Sequence, residues 1–347
     1  MNVSFYDLNL SDLENVMKEW GEPVFRAKQI WQFVYKKLYL DPQLWNTVPK
    51  ELRNRFLNEY DFHPVTEIKN IQSEDKQTEK ILLQLSDGKK IEAVLMRYYE
   101  RNTICISSQA GCAMNCAFCA TGQMGFIRNL SVGEIVGQVL FFAEKLKLEE
   151  KKLTNIVIMG MGEPFHNYDH VMKAIDIIND SDGFQFGERR ITISTVGIIP
   201  MIEKFTKAKR QINLAVSLHA PTSKIRDQII PANKKYPLEQ LIETCKTYTE
   251  KTGRRITFEY ALIHGFNDSP EEAALLAKLL KGMLCHVNLI PLNSTIKFDQ
   301  KGSSRERTND FKMMLDKYGI ACSIRLKRGV DIGAGCGQLL TSSSKNE

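Results

Sequence analysis

Several things are scarce in this chain of 347 residues. No apolar run approaches the ~18 residues needed to span a bilayer. The start, Met1-Asn-Val-Ser-Phe-Tyr-Asp-Leu, carries no cationic stretch followed by an apolar block, so neither secretion nor membrane insertion is expected and a cytoplasmic location is. Eight cysteines fall far below the density of a disulfide scaffold, which makes a reducing compartment the default and turns attention to thiols that cluster. Charge of one sign is also in short supply: 47 Lys plus Arg against 41 Asp plus Glu leave +6, too little to define a nucleic-acid binder on its own. Internal repeats and low-complexity blocks are missing. What is left, 43% apolar and 25% charged residues, is the composition of a globular protein of about two domains, or of one α/β barrel with an addition.

Residues 1–64 read as short amphipathic helices. Ser11 with Glu14 has capping-box spacing, Gly21 ends that run, and Pro23 and Pro49 can each begin a further helix. This is a helical accessory domain. Residues 65–100 change texture: Ile81-Leu-Leu-Gln-Leu, the turn-like Ser86-Asp87-Gly88 and Lys90-Ile-Glu-Ala-Val-Leu predict a β-hairpin that joins the module to the core. Across 101–340, β-branched apolar runs at 104–107, 156–159, 191–194, 212–218, 256–263, 287–290 and 322–326 alternate with helix-period segments at 131–148, 169–180, 237–252, 269–281 and 304–318. That alternation predicts an α/β fold, a parallel sheet with crossover helices, open or curled towards a barrel. Function in such folds gathers at the C-terminal ends of the strands. Residues 341–347 are polar and read as a disordered tail.

Directly after the first strand run comes Gly111-Cys112-Ala-Met-Asn-Cys116-Ala-Phe-Cys119. Three thiols spaced C-x3-C-x2-C can wrap one face of an iron–sulfur cube and leave one iron open. Zinc competes, but a structural zinc site needs four protein ligands and nothing nearby in sequence completes it. Three unrelated buried thiols are the bland alternative. Elsewhere, Gly160 and Gly162 after a strand can let a ligand approach the backbone, and Glu163 offers a carboxylate to an ammonium group or a ribose hydroxyl. Taken alone, His219 is a structural histidine, Ser194 a polar strand residue and Glu92 an exposed hairpin carboxylate. Cys105 inside an apolar strand reads as a small hydrophobe, as do Cys245, Cys285 and Cys322. Cys336 differs, because Gly333, Gly335 and Gly337 around it predict an open, mobile loop that presents the sulfur.

With these motifs the sequence resembles the radical SAM superfamily. Met159-Gly-Met-Gly-Glu-Pro164, Ile193-Ser-Thr-Val-Gly197, Ser217-Leu-His-Ala-Pro221, His286-Val-Asn-Leu-Ile-Pro-Leu-Asn293 and Asp331-Ile-Gly-Ala-Gly-Cys-Gly-Gln-Leu339 are similar, in that order, to the signatures of its RlmN/Cfr family of RNA methyltransferases. The resemblance implies a partial (βα)6-type barrel with an N-terminal helical accessory domain. It implies a [4Fe-4S] cluster on Cys112, Cys116 and Cys119, and S-adenosylmethionine, two molecules per turnover, held by Gly162, Glu163, Ser194, Ser217, Leu218, His219 and Asn293. It also implies a methyl relay in which Cys336 carries the methyl group, Glu92 acts as general base and Cys105 resolves the product, leaving a Cys105–Cys336 disulfide for a reductant such as flavodoxin or ferredoxin. Gly333 and Gly335 stand where the family has Asp and Ala, which loosens the relay loop.

Substrates follow from the resemblance too: adenine C2 in the peptidyl-transferase loop of 23S rRNA and in the adenosine 3′ to the anticodon of tRNA, with the enzyme acting as a monomer. Basic pairs at Lys151-Lys152, Arg189-Arg190, Lys234-Lys235, Arg254-Arg255 and Lys327-Arg328 can neutralise phosphates or be ordinary solvated surface. A positively charged entrance is expected near the cluster, because a base inside folded RNA must leave its stack to react. Besides a radical enzyme acting on a small metabolite, two rivals remain open. One is Cfr-type C8 methylation, the resistance chemistry, against which Glu163-Pro164 stands because Cfr has Ala after the Glu. The other is a non-catalytic iron–sulfur RNA-binding protein.

Overall fold

In the computed structural model, which describes residues 3–325 and 328–340, the N-terminal module closes on itself by pairing β1 (Val3–Ser4) in parallel with β2 (Tyr60–Asp61) around α1 (Leu10–Glu19), α2 (Phe25–Tyr35) and α3 (Lys50–Glu59). α1 is capped by Asn9, whose side chain accepts from Asp12 N–H at 2.8 Å while the Asp12 carboxylate accepts from Asn9 N–H at 3.0 Å. The expected Ser11–Glu14 box is therefore displaced by two residues. Both pairs have the right spacing, and a helix begun at Leu10 buries Leu13 and Met17. The module does not stand apart. Gly133 N–H donates to Asp7 Oδ1 at 2.6 Å and Trp31 Nε1 to Asp180 Oδ1 at 2.9 Å, and the aromatic core around Phe5, Trp31, Trp45 and Phe56 runs on into the main one.

β3 (Val65–Gln72), β4 (Thr78–Leu85) and β5 (Lys90–Arg97) form an antiparallel meander, one strand more than the expected hairpin. β5 then pairs antiparallel with β6 (Asn102–Cys105), so the meander extends the main sheet instead of linking to it. β7 (Gln109–Gly111) and β8 (Phe126–Asn129) pair with each other, fastening both ends of the segment that carries α4 (Ala120–Met124) and the three clustered thiols. Seven strands run parallel: β6, β9 (Asn155–Ile158), β10 (Ile191–Thr195), β11 (Asn213–Ser217), β12 (Ile256–Leu262), β13 (Cys285–Pro291) and the short edge strand β14 (Cys322–Ile324). All seven expected runs are strands, although Leu326 and Lys327 lie outside the described residues, as do residues 341–347. The order β14-β13-β12-β11-β10-β9-β6-β5-β4-β3 needs crossovers, supplied by α5 (Val132–Leu148), α6 (Tyr168–Asn179), α7 (Ile199–Ala208), α8 (Ser223–Ile229), α9 (Leu238–Thr252), α10 (Pro270–Leu280) and α11 (Arg305–Lys317).

The sheet is curled, because Met96 and Thr103 from one side and His286 and Ser323 from the other line a single bore of about 790 Å³. Parallel strands covered by helices outside and side chains inside explain the near-continuous apolar runs. Among the described residues no helix is long and apolar enough to cross a membrane.

Candidate active site

At the C-terminal ends of the strands a cavity of about 210 Å³ opens. Cys112, Cys116 and Cys119 line it from the loop between β7 and β8; Cys105 lines it from the end of β6 and Cys336 from the segment after β14. Five of the eight thiols thus meet in one place, and all eight are free among the described residues. The loop is tight at its neck. Gly111 has φ +75°, and a Cβ there would lie 2.0 Å from Gly125 O, so the crossing admits glycine alone.

The thiol loop suits an iron–sulfur cube. Backbone N–H of Met114 points at the Cys112 sulfur, and those of Thr121 and Gly122 at Cys119, the donor pattern that tunes cluster sulfurs. Burial pushes the Cys112 thiol up to about 12 and Cys116 well above its ordinary value, a cost that a bound metal cluster reverses. Among the described residues no group of three or more His, Cys, Asp or Glu side chains could hold a single metal ion. Zinc fits poorly, since it draws its ligands to one point, whereas a cube takes one sulfur per iron.

Of the residues expected at the cofactor, Gly162, Glu163, Ser194, Ser217, His219 and Asn293 line the cavity. Leu218 does not: it is fully buried and its N–H donates to Glu259 O at 3.0 Å. The two glycines also serve the chain. A Cβ on Gly160 would lie 2.7 Å from Ile106 O and one on Gly162 2.5 Å from Gln109 Cβ, so they admit the segment after β6. Glu163 is held by Phe165 N–H at 3.0 Å and Val196 N–H at 2.8 Å, while burial pushes its carboxyl up to about 7. His219 Nδ1 accepts from Ala261 N–H at 2.9 Å, which leaves the proton on Nε2 as a donor. Asn293 Oδ1 is buried with no partner among the described residues, an open acceptor at the site where S-adenosylmethionine would fit.

Glu92 departs from expectation. It is 5% exposed, not on a solvated hairpin face, because the sheet continues through β5 and both of its faces are covered. Lys80 Nζ approaches its carboxylate at 3.2 Å and Leu340 N–H donates to it at 2.8 Å, so it sits beneath the Cys336 segment and outside the cavity lining. Burial is the largest influence and raises its carboxyl, with Lys80 pulling the other way. The Cys336 segment is pinned elsewhere as well: Glu74 N–H donates to Asp331 at 3.0 Å, Thr121 Oγ1 to Leu339 O at 2.7 Å and Ala120 N–H to Gly337 O at 2.7 Å. Arg328, from one of the basic pairs that could meet phosphate or solvent, stacks its guanidinium 4.3 Å from the Tyr98 ring.

Three further residues belong to the site. Arg226 on α8 is fully buried and donates to Val196 O at 2.6 Å, Ser217 O and Leu218 O at 3.1 Å and Asn233 Oδ1 at 2.9 Å, clamping the ends of β10 and β11. Burial lowers it to about 10. Glu259 on β12 and Arg325 beyond β14 both line the cavity floor. Burial raises the Glu259 carboxyl, opposed by Arg325 and Asn288. Arg325 is itself held above its ordinary value, chiefly by Cys336 against the cost of burial. Glu259, the one charge in the apolar run 256–263, carries a sequence signal, whereas Arg226 and Arg325 have polar and charged neighbours and carry none; nothing local says what any of the three faces.

A cube-binding thiol loop over the mouth of a curled parallel sheet defines a radical SAM enzyme, and the model of that superfamily matches residues 106–277. The model "Ribosomal RNA large subunit methyltransferase N-terminal domain" matches residues 3–60. A probable dual-specificity RNA methyltransferase RlmN of Dictyoglomus turgidum is 44% identical over 100% of this chain and 98% of its own length. The ribosomal RNA large subunit methyltransferase N of Nitrosopumilus maritimus is 44% identical over 98% of this chain and 99% of its own. A crystal structure of a radical SAM methyltransferase from Sphaerobacter thermophilus, 46% identical, superposes with a TM-score of 0.95 over 97% of this chain and 99% of that one. The chain belongs to the RlmN family of radical SAM RNA methyltransferases, whose methylation depends on S-adenosylmethionine and whose fold implies a [4Fe-4S] cluster.

Proposed function

We propose that this enzyme methylates C2 of adenine in the peptidyl-transferase loop of 23S rRNA and in the adenosine 3′ to the anticodon of tRNA, through an S-methylcysteine. The observation that carries the reading is the meeting of Cys105 and Cys336 in the cavity beneath the thiol loop. C2 is not nucleophilic, so direct methyl donation to it is closed and a radical route is required. A [4Fe-4S] cluster on Cys112, Cys116 and Cys119 with two molecules of S-adenosylmethionine per turnover supplies a transferable methyl group and a hydrogen-abstracting radical. Glu163, Ser194, Ser217, His219 and Asn293 orient the nucleotide, and Gly162 allows the chain to pass beneath it.

The Cys336 thiolate accepts a methyl group from one S-adenosylmethionine; that S-methyl group then loses one hydrogen atom, its carbon joins adenine C2, and the adduct gives up the one electron that started the radical step. Glu92 then removes the C2 proton, which requires the strap at Leu340 to lift. The Cys105 thiolate attacks the Cys336 sulfur, the C–S bond breaks, the released methylene carbon takes up a proton to complete the methyl group, and the resulting disulfide is reset by two electrons from a donor such as flavodoxin or ferredoxin. The module over residues 1–64 grips the RNA, and the enzyme works as a monomer. Methylation at C8 is the second reading, disfavoured by Pro164 after Glu163.

Mass mapping of rRNA and tRNA after anaerobic reaction tests this. Cys336→Ala is expected to keep the four-iron absorbance and form no methylated base; Cys105→Ala is expected to accumulate a protein–RNA crosslink. Turnover by either variant removes the relay, and product at C8 replaces the regiochemistry.

A further inference from the structure

The cavity floor holds two charged groups with unused capacity. Glu259, Asn288 and Ser323 occupy one row across β12, β13 and β14. Asn288 Nδ2 donates to Glu259 Oε1 at 3.2 Å, Ser323 Oγ donates to Asn288 Oδ1 at 2.8 Å, and His286 Nε2 lies 2.8 Å from Ser323 Oγ. Since the Ser323 proton points at Asn288, its oxygen accepts from His286 Nε2–H. Every donor in the chain is thus aimed towards the carboxylate, fixing Oε1 and the rotamer of Glu259. Oε2, on a side chain 5% exposed, has no partner among the described residues.

Arg325 lies two residues further along β14's path, anchored by its N–H to Leu289 O at 2.9 Å. Its guanidinium makes no hydrogen bond or ion pair among the described residues, yet it lines the same cavity as Glu259, Cys105 and Cys336. Arg325 is electrostatically coupled to Cys336 and Cys105 as well as to Glu259. A fixed acceptor, an unsatisfied fork of donors and a pair of thiols therefore share one wall.

We propose that Glu259 and Arg325 read the Watson–Crick edge of the target adenine: Glu259 Oε2 accepts from the exocyclic N6 amine and the Arg325 guanidinium donates to N1, which turns C2 towards Cys336 and Cys105. This rests on adenine being the substrate, as proposed above. Among purines it selects a 6-amino group with an unprotonated N1, because a 6-oxo group would meet a carboxylate and a protonated N1 would meet donors.

The test uses three RNA stem-loops identical except at the target position, which carries adenosine, purine ribonucleoside (no N6 amine) or 1-deazaadenosine (CH in place of N1). Binding to the anaerobic, cluster-loaded protein is measured by fluorescence anisotropy, with no turnover needed. The wild type is expected to bind adenosine RNA about tenfold or more tighter than either analogue, the cost of one buried group left unpaired. In Glu259→Gln, Asn288 holds the amide oxygen at the Oε1 position and the NH2 enters the cavity, so discrimination against purine ribonucleoside vanishes while that against 1-deazaadenosine persists. Arg325→Gln does the converse. A general folding defect cannot produce that crossed pattern. Equal binding of all three RNAs by the wild type overturns the proposal, as does loss of both discriminations together in each variant. Weakened retention of S-adenosylmethionine by the variants overturns it too, since the pair would then serve the cofactor's own adenine. Mass mapping of the product in the same samples tests the parent reading separately: C2-methyladenosine formed without preference in binding sinks the base reader alone.

Discussion

His219 shows how one side chain is committed by its surroundings. Its backbone is left-handed, with φ +58°, its ring meets Phe118 edge-on at a centroid distance of 4.8 Å, and Asn267 Nδ2 donates to its carbonyl at 2.8 Å. Burial is the first cause, and the Arg226 charge the second, that lower its pKa from 6.5 to about 3. The folded state therefore binds fewer protons than the unfolded chain between those values. Stability from this group is complete above pH 6.5 and is lost as pH falls. Between pH 7 and pH 5 the loss should be about 2 kcal/mol, read as the difference in urea-unfolding free energy. His219→Asn, which tolerates the left-handed backbone, should flatten that part of the slope; an unchanged slope would mean the imidazole is solvated.

At the scale of elements, the turn after β9 depends on glycine for reasons of space. Gly162 has φ +104° and its Cβ would press on Gln109, so Gly162→Ala should cost at least ~2 kcal/mol through strain and overpacking. Gly187, with φ −63° and no atom within 4 Å of a Cβ, is the control: Gly187→Ala should leave the melting temperature within error. Much of this level was legible beforehand. The parallel strands announced themselves as β-branched runs, since a sheet covered on both faces needs apolar residues at every position. The same fact hid Glu92, because period-two reasoning puts a strand carboxylate in water and β5 has no wet face. Asn9 and Ser11 offered equally spaced caps, and the packing of Leu13 and Met17, not local chemistry, chose between them. The clamp by Arg226 and the row of Glu259, Asn288 and Ser323 depend on register between distant strands, which no local spacing encodes.

At the scale of the molecule, the accessory module and the barrel form one body. All three tryptophans, Trp20, Trp31 and Trp45, lie in the module, and Trp31 bonds to Asp180 at the end of α6. Tryptophan fluorescence thus reports on the module while far-ultraviolet circular dichroism is weighted to the barrel, and the two urea transitions should coincide. Trp31→Phe should lower both together by about 1 kcal/mol, the worth of one hydrogen bond; separated midpoints would show two independent units. The strap carrying Cys336 has a consequence at this scale. Tied down at Asp331 on one side and at Gly337, Leu339 and Leu340 on the other, it gives its sulfur a short stroke. If Cys336 carries the methyl group as proposed, its thiol cannot travel out to a helix groove, so the nucleotide must make the journey inward, and RNAs that surrender one base from the stack most cheaply should be methylated fastest.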